Sequence, residues 1–240
     1  MKKSFLAIAG LAIAGLVIAG PAVAAGPSFD CAAARLPVEK AICADPALAE
    51  ADLALSRAYR QAAQRVAADA AASAELKASQ RGFVATRNEA FGHPSYELAD
   101  HLARRTTLLT NINIDERKTL LNDWATTGGT ISVNRATGGQ FRVFASASDE
   151  ARGAWTCEFI GFGRPKGDTL TIAEEPGHLD YEGWTLTLRR VGRLLEVTET
   201  PPSPDPTRGL RPFCGARGSL AGKYFGVSDE GHGDDMGSGE

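Results

Sequence analysis

At 240 residues, with 43% hydrophobic and 23% charged side chains, the chain is composed like an ordinary globular protein and is long enough for two small cores. A formal charge of −3 excludes the basic field that nucleic-acid or anionic-membrane binding requires. The charge is unevenly placed: residues 26–124 carry 12 basic and 13 acidic groups, residues 125–226 carry 12 and 11, and residues 227–240 carry five acidic groups and no basic one.

The first segment, 1–25, has Lys2 and Lys3, an apolar run from Phe5 to Gly20, a break at Pro21 and small residues up to Ala25. That order predicts a secretory signal cleaved after Ala25. The apolar run is shorter than the roughly 20 residues a spanning helix needs, so no membrane insertion is expected after cleavage. The expected location is the periplasm or the exterior. Four cysteines, an even number in an exported chain, then favour disulfides, and the lack of any CxxC pair argues against a zinc site.

From Pro37 to about Asp123 the chain is rich in Ala, Leu, Glu, Arg and Gln, which predicts helix. Asp45 is placed as the cap and Pro46 in the first turn of a helix carrying Leu48, Asp52, Leu55, Tyr59 and Val66 and ending near Ala72. Ser73 is read as the cap of a second helix through Leu76, Phe83 and Arg87, stopping near Gly92 to Pro94. A third begins at Ser95 with Leu98, Leu102, Leu108 and Leu109. Short connections predict a helical hairpin with a third helix packed on it, over a domain spanning 26–124.

Near Thr126 to Gly129 the period changes from helical to alternating. Ile131 and Val133, Phe141 and Val143, Trp155 with Cys157 and Phe159, Leu170 and Ile172, Trp184 with Leu186 and Leu188, and Leu195 with Val197 lie two apart in short runs bounded by turn residues. Six or seven short strands predict an antiparallel sandwich or small barrel over 128–226. The fold class is therefore α+β. Residues 228–240 have Met236 as their one apolar side chain, too little to bury, and are expected to form a disordered acidic tail, within a boundary set at 227.

Chemistry is sparse. GxSxG, HExxH, P-loop and GxGxxG motifs are all missing, so no enzyme, metal site or cofactor is expected. His93, His101, His178 and His232 are scattered and read as surface residues. The acidic run Asp229 to Asp235 reads as solvated tail rather than as a cation loop, and Glu174 with Glu175 and Asp180 with Glu182 as turn carboxylates rather than as a glycosidase pair. Trp155 and Trp184, which could line a ligand cavity, are assigned to the core. Asp52 and Tyr59 are seven apart, as are Gln80 and Arg87, so each pair shares one helix face. An Asp52–Arg87 bridge and a Tyr59 hydrogen bond that lock two helices together are expected; the competing reading is a polar patch that meets a partner.

Phe29 to Arg87 resembles the LprI-like lysozyme-inhibitor family of exported bacterial proteins. The residues that carry the resemblance are F-D-C-A-x-A at 29–34, V-E-K-A-I-C-A-D-P-x-L at 38–48, then Asp52, Leu55 and Tyr59, Q-R-x-F at 80–83, and Arg87-Asn88. A second cysteine pair that the family usually carries after Arg-Asn is missing, since 89–95 reads E-A-F-G-H-P-S. The expected disulfides are thus Cys31 with Cys43 and Cys157 with Cys214, each within one half. The resemblance implies a binding protein that occludes the cleft of a lysozyme or another peptidoglycan hydrolase, with Asp52, Tyr59, Gln80, Arg81 and Arg87 as partner-facing candidates. The alternative is an envelope accessory module whose β domain binds a ligand or protein.

Overall fold

The computed structural model describes residues 26–113, 119–174, 183–202 and 211–228. The expected signal segment, the acidic tail from 229 onward, the 175–182 turn carboxylates, His178 and His232 lie outside the described residues. No described helix is long and apolar enough to cross a membrane.

Four helices come first: α1 (Pro37–Ala44), α2 (Pro46–Arg65), α3 (Ala70–Ala90) and α4 (Leu98–Asn111). The expected hairpin and third helix are α2, α3 and α4. Helix α1 is an addition, tied to a preceding 3-10 turn by the Cys31–Cys43 disulfide. Asp45 caps α2 as expected, accepting from the Ala47 amide at 2.8 Å with Pro46 at the first helical position.

Two other caps differ from expectation. Asp69, not Ser73, caps α3, because its carboxylate accepts from the Ala72 amide at 2.9 Å while the Ser73 hydroxyl turns back to donate to the Val66 carbonyl at 2.9 Å. Helix α4 starts at Leu98 rather than Ser95, whose hydroxyl instead donates to the Arg152 carbonyl across the molecule at 3.0 Å. Helix also stops at Asn111, well short of Asp123. There the Arg65 side chain donates to the carbonyls of Leu109, Thr110 and Ile112, covering groups that a helix end leaves without partners.

The β part is one closed antiparallel meander: β1 (Asn122–Thr126), β2 (Gly129–Arg135), β3 (Phe141–Ser148), β4 (Thr156–Gly163), the two-residue β5 (Pro165–Lys166), β6 (Thr169–Glu174), β7 (Thr185–Val191), β8 (Leu194–Thr200) and β9 (Gly222–Val227). Pairing of β9 with β1 and of β4 with β6 closes eight strands into a barrel, with β5 an extension at the β4 end. The structure thus chooses the barrel over the sandwich and exceeds the six or seven strands expected. At the closure, a Cβ on Gly161 would lie 1.9 Å from the Ala173 carbonyl oxygen, and one on Gly163 2.2 Å from that of Thr171, so only glycine admits this approach of backbones.

Alternation sorts the barrel's residues as the sequence implies. Ile131, Val143, Phe159, Leu170, Ile172, Leu186, Leu188 and Leu195 are fully buried in the interior, with Trp124 and Trp184 closing it. The Cys157–Cys214 disulfide staples this core to the chain that leads into β9.

Leu194 and Phe225 point outward instead and belong to the helical core, packed with residues such as Ile42, Leu102, Leu109 and Ile112. The helices therefore lie against the barrel's outer face around β8 and β9. The Asn113 amide extends the contact by donating to the Gly226 carbonyl at 2.8 Å, and the Ser228 amide by donating to that of Asn111 at 3.0 Å.

Candidate functional site

All five partner-facing candidates gather in one place, the groove between α2 and α3. Asp52, Tyr59, Gln80 and Arg87 line an inner cavity of about 180 Å³ with Ser28 and Phe29. Tyr59, Gln80 and Arg81 continue it into an outer groove with Lys77 and Asn88. The seven-residue spacing put each pair on one helix face, and the two faces line one cavity between α2 and α3, while α2 itself packs chiefly on α4.

Their roles are unequal. Asp52 is buried and its carboxylate accepts from the Ser28 amide at 2.8 Å and the Ser28 hydroxyl at 2.6 Å, which ties the N-terminal segment to α2. The expected Asp52–Arg87 bridge forms, at 3.9 Å, beyond hydrogen-bond length. Arg87 spends its Nε and Nη2 donors on Asn88 Oδ1 at 3.1 and 3.0 Å. So Asp52 holds the N-terminal segment more firmly than it holds α3. Tyr59 is half-buried and makes no side-chain hydrogen bond among the described residues, contrary to the expected lock. Gln80 accepts from Arg105 Nε at 3.1 Å, which fixes its amide from behind. Arg81 and Lys77 are exposed one helical turn apart and enter no ion pair among the described residues.

Behind the groove lies a buried polar cluster that the sequence reading missed. Arg105 is fully buried; its guanidinium donates to Gln80, to the Ser79 hydroxyl at 3.1 Å and to the Thr127 hydroxyl of the barrel at 2.9 Å, and stacks over Phe83 at 5.7 Å. His101, read as a surface residue, is fully buried: its ring stacks on Phe83 with centroids 4.4 Å apart, and its Nδ1 lies 3.7 Å from Glu150. Burial pushes the Glu150 carboxyl up to about 7 against the pull of Arg104 and Arg105, and pushes His101 down to about 4 with help from Arg104. Desolvation also lowers Arg105 to about 10. A signal was present: His101 and Arg105 fall on the same stripe as Leu98, Leu102, Leu108 and Leu109, so the apolar face of α4 carries two ionisable residues at its centre.

The two tryptophans separate. Trp184 belongs to the barrel core as expected, packed edge-on to Phe213. Trp155 packs against that core but is only half-buried: it precedes β4 and also lines a cavity of about 450 Å³ between α3 and the barrel rim.

Asp52, Tyr59, Gln80, Arg81, Arg87 and the Cys31–Cys43 staple lie within the stretch over which the chain has a recognisable relationship. No curated protein and no solved structure matches it. Residues 31–111 match the family described as lysozyme inhibitor LprI, so the helical part of this chain is similar to that family.

Proposed function

We propose that the protein is an exported inhibitor of a lysozyme or another peptidoglycan hydrolase, working without turnover by occluding the enzyme's cleft. The observation that carries this reading is the α2–α3 groove: within the LprI-like stretch, it presents Arg81 and Lys77 to solvent over a floor of Tyr59 and Gln80. Glycosidase clefts hold a pair of carboxylates flanking the scissile bond. A guanidinium meets a carboxylate through two parallel, charge-assisted hydrogen bonds, and it is more weakly hydrated than an ammonium, so it costs less to bring into a cleft. Arg81 is the residue that enters the cleft, and Lys77 adds charge beside it. The floor is rigid because Gln80 is held by Arg105 and that arginine is held by the barrel.

Inhibition of wall lysis by the mature chain, measured against chicken-type, goose-type and bacterial hydrolases, tests this directly. It should saturate at one inhibitor per enzyme. Arg81→Glu should weaken it about tenfold or more at unchanged melting temperature, a loss of ~1.4 kcal/mol at the interface. A folded wild-type chain that inhibits none of the panel sinks the proposal.

A further inference from the structure

We infer that the cavity between α3 and the barrel rim is a second binding site, for a short uncharged saccharide stacked on Trp155. The inference is independent of the inhibitor reading, since the cavity lies on the opposite side of α3 from Lys77 and Arg81. Its size falls within the roughly 300–1,000 Å³ of small-molecule sites.

Trp155 is set in place. A Cβ on Gly218 would lie 2.8 Å from Cys157 Sγ and 2.9 Å from the indole, and one on Gly215 would lie 3.1 Å from the Trp155 Cβ. The loop around Cys214 can pack so closely only because these two positions are glycine, and it clamps one edge of the ring while the residue stays half-buried at the cavity wall. The other two tryptophans, Trp124 and Trp184, are closed inside the barrel.

On the facing wall, Gly82 sits in the interior of α3, where glycine costs helix stability relative to alanine. Its backbone is ordinary helix and a Cβ there would meet nothing within 4 Å, so neither conformation nor packing requires it. Gly82 and Trp155 line the same cavity, and a bulky side chain at Gly82 would project into it.

Most of the remaining polar groups are already engaged, which leaves no unpaired cation among the described lining residues to attract an anionic ligand. Glu75 on α3 and Lys223 on β9 pair across the cavity at 3.8 Å. The Asp149 carboxylate is occupied by the amides of Ala151 and Arg152, at 3.0 and 3.3 Å. Burial pushes the Glu150 carboxyl up to about 7, so near neutral pH a fraction of it is protonated and can donate as well as accept. A pyranose fits these features: its apolar C–H face suits an aromatic ring, and its rim of hydroxyls suits alternating donors and acceptors.

The mature full-length chain should be titrated with tri-N-acetylchitotriose and, separately, with cellotriose, following tryptophan emission. A saturable change with either sugar, abolished in Trp155→Ala and in Gly82→Leu, is the expected result, and the sugar that binds tells whether acetamido groups are read. Gly82→Leu obstructs the cavity while improving the helix, so it should melt no lower than wild type and should retain hydrolase inhibition. No saturable change with either sugar up to millimolar concentration overturns the inference, as does binding that survives in folded Gly82→Leu.

Discussion

The barrel and the helical part solve the burial problem differently. The barrel closes on itself and fills its interior with its own alternating side chains, under its own disulfide. The helices do not complete a core alone: Leu194 and Phe225, from the barrel's outer face, sit among Ile42, Leu102, Leu109 and Ile112. One half is a scaffold in its own right, and the other is a scaffold only when docked. The difference places the exposed cations of the groove, Arg81 and Lys77, on a helical surface tied to the barrel beneath it through Gln80, Arg105 and Thr127.

The largest effect is expected from Phe225→Ala. Removing a buried phenylalanine costs about 3–5 kcal/mol, and here the cavity would open inside the helical core although the residue belongs to a strand. Far-UV and near-UV circular dichroism followed through urea unfolding should shift together. If the helical signal were lost well before the barrel signal, the helices would have to be redescribed as an appendage.

The disulfides sharpen the same contrast. Loop entropy assigns about 4 kcal/mol to Cys157–Cys214, which spans 57 residues, and about 3 kcal/mol to Cys31–Cys43, which spans 12. Replacing the first pair by serine should lower the melting temperature more than replacing the second. The reverse order would mean that the helical part, not the barrel, limits stability.

At the seam, Glu150 and His101 have opposite effects on pH dependence. A carboxyl raised from 4.5 to about 7 contributes stability that is complete below 4.5 and is lost as pH rises through 7. A histidine lowered from 6.5 to about 4 contributes stability that is complete above 6.5 and is lost as pH falls through 4. Over pH 4.5 to 6.5 the two slopes oppose each other, and wild-type stability should be nearly flat. Glu150→Gln should leave a rise of ~1 kcal/mol or more across that window, and His101→Gln a fall of similar size, read from urea midpoints at each pH. Parallel curves for both variants would show that the pair does not titrate as its burial implies.

The smallest effect belongs to Asp69, which caps α3 and also accepts from the Arg193 amide in the β7–β8 turn at 3.1 Å. Asp69→Ala should cost about 1 kcal/mol, the loss of a cap, with Asp69→Asn recovering most of it. A cost near zero would mean that this corner of the seam is held by other contacts.

Much of this was legible in the residue pattern. The change of period near Thr126, the Asp45-Pro46 helix start, the paired cysteines and the spacing that set Asp52, Tyr59, Gln80 and Arg87 on helix faces are local properties, fixed by 3.6- and 2-residue periodicity and by capping chemistry. Small misreadings were local too: Ser73 and Asp69 are both competent caps, and only the competing Val66 carbonyl decides between them.

The larger omissions share a different cause. Leu194-Leu195 and Tyr224-Phe225 are apolar doublets that break the strand alternation, and each marks a strand buried on both faces, yet no single strand says what covers its second face. His101 and Arg105 interrupt the apolar stripe of α4, and whether such residues are errors of pattern or a satisfied buried cluster depends on Glu150 and Thr127 arriving from the barrel. Local sequence therefore determined the elements, their caps and the polar faces of the helices. Only the tertiary structure decided that eight strands close rather than stack, and that helices and barrel share a seam. Closure and docking depend on contacts between residues far apart in the chain, which no local period encodes.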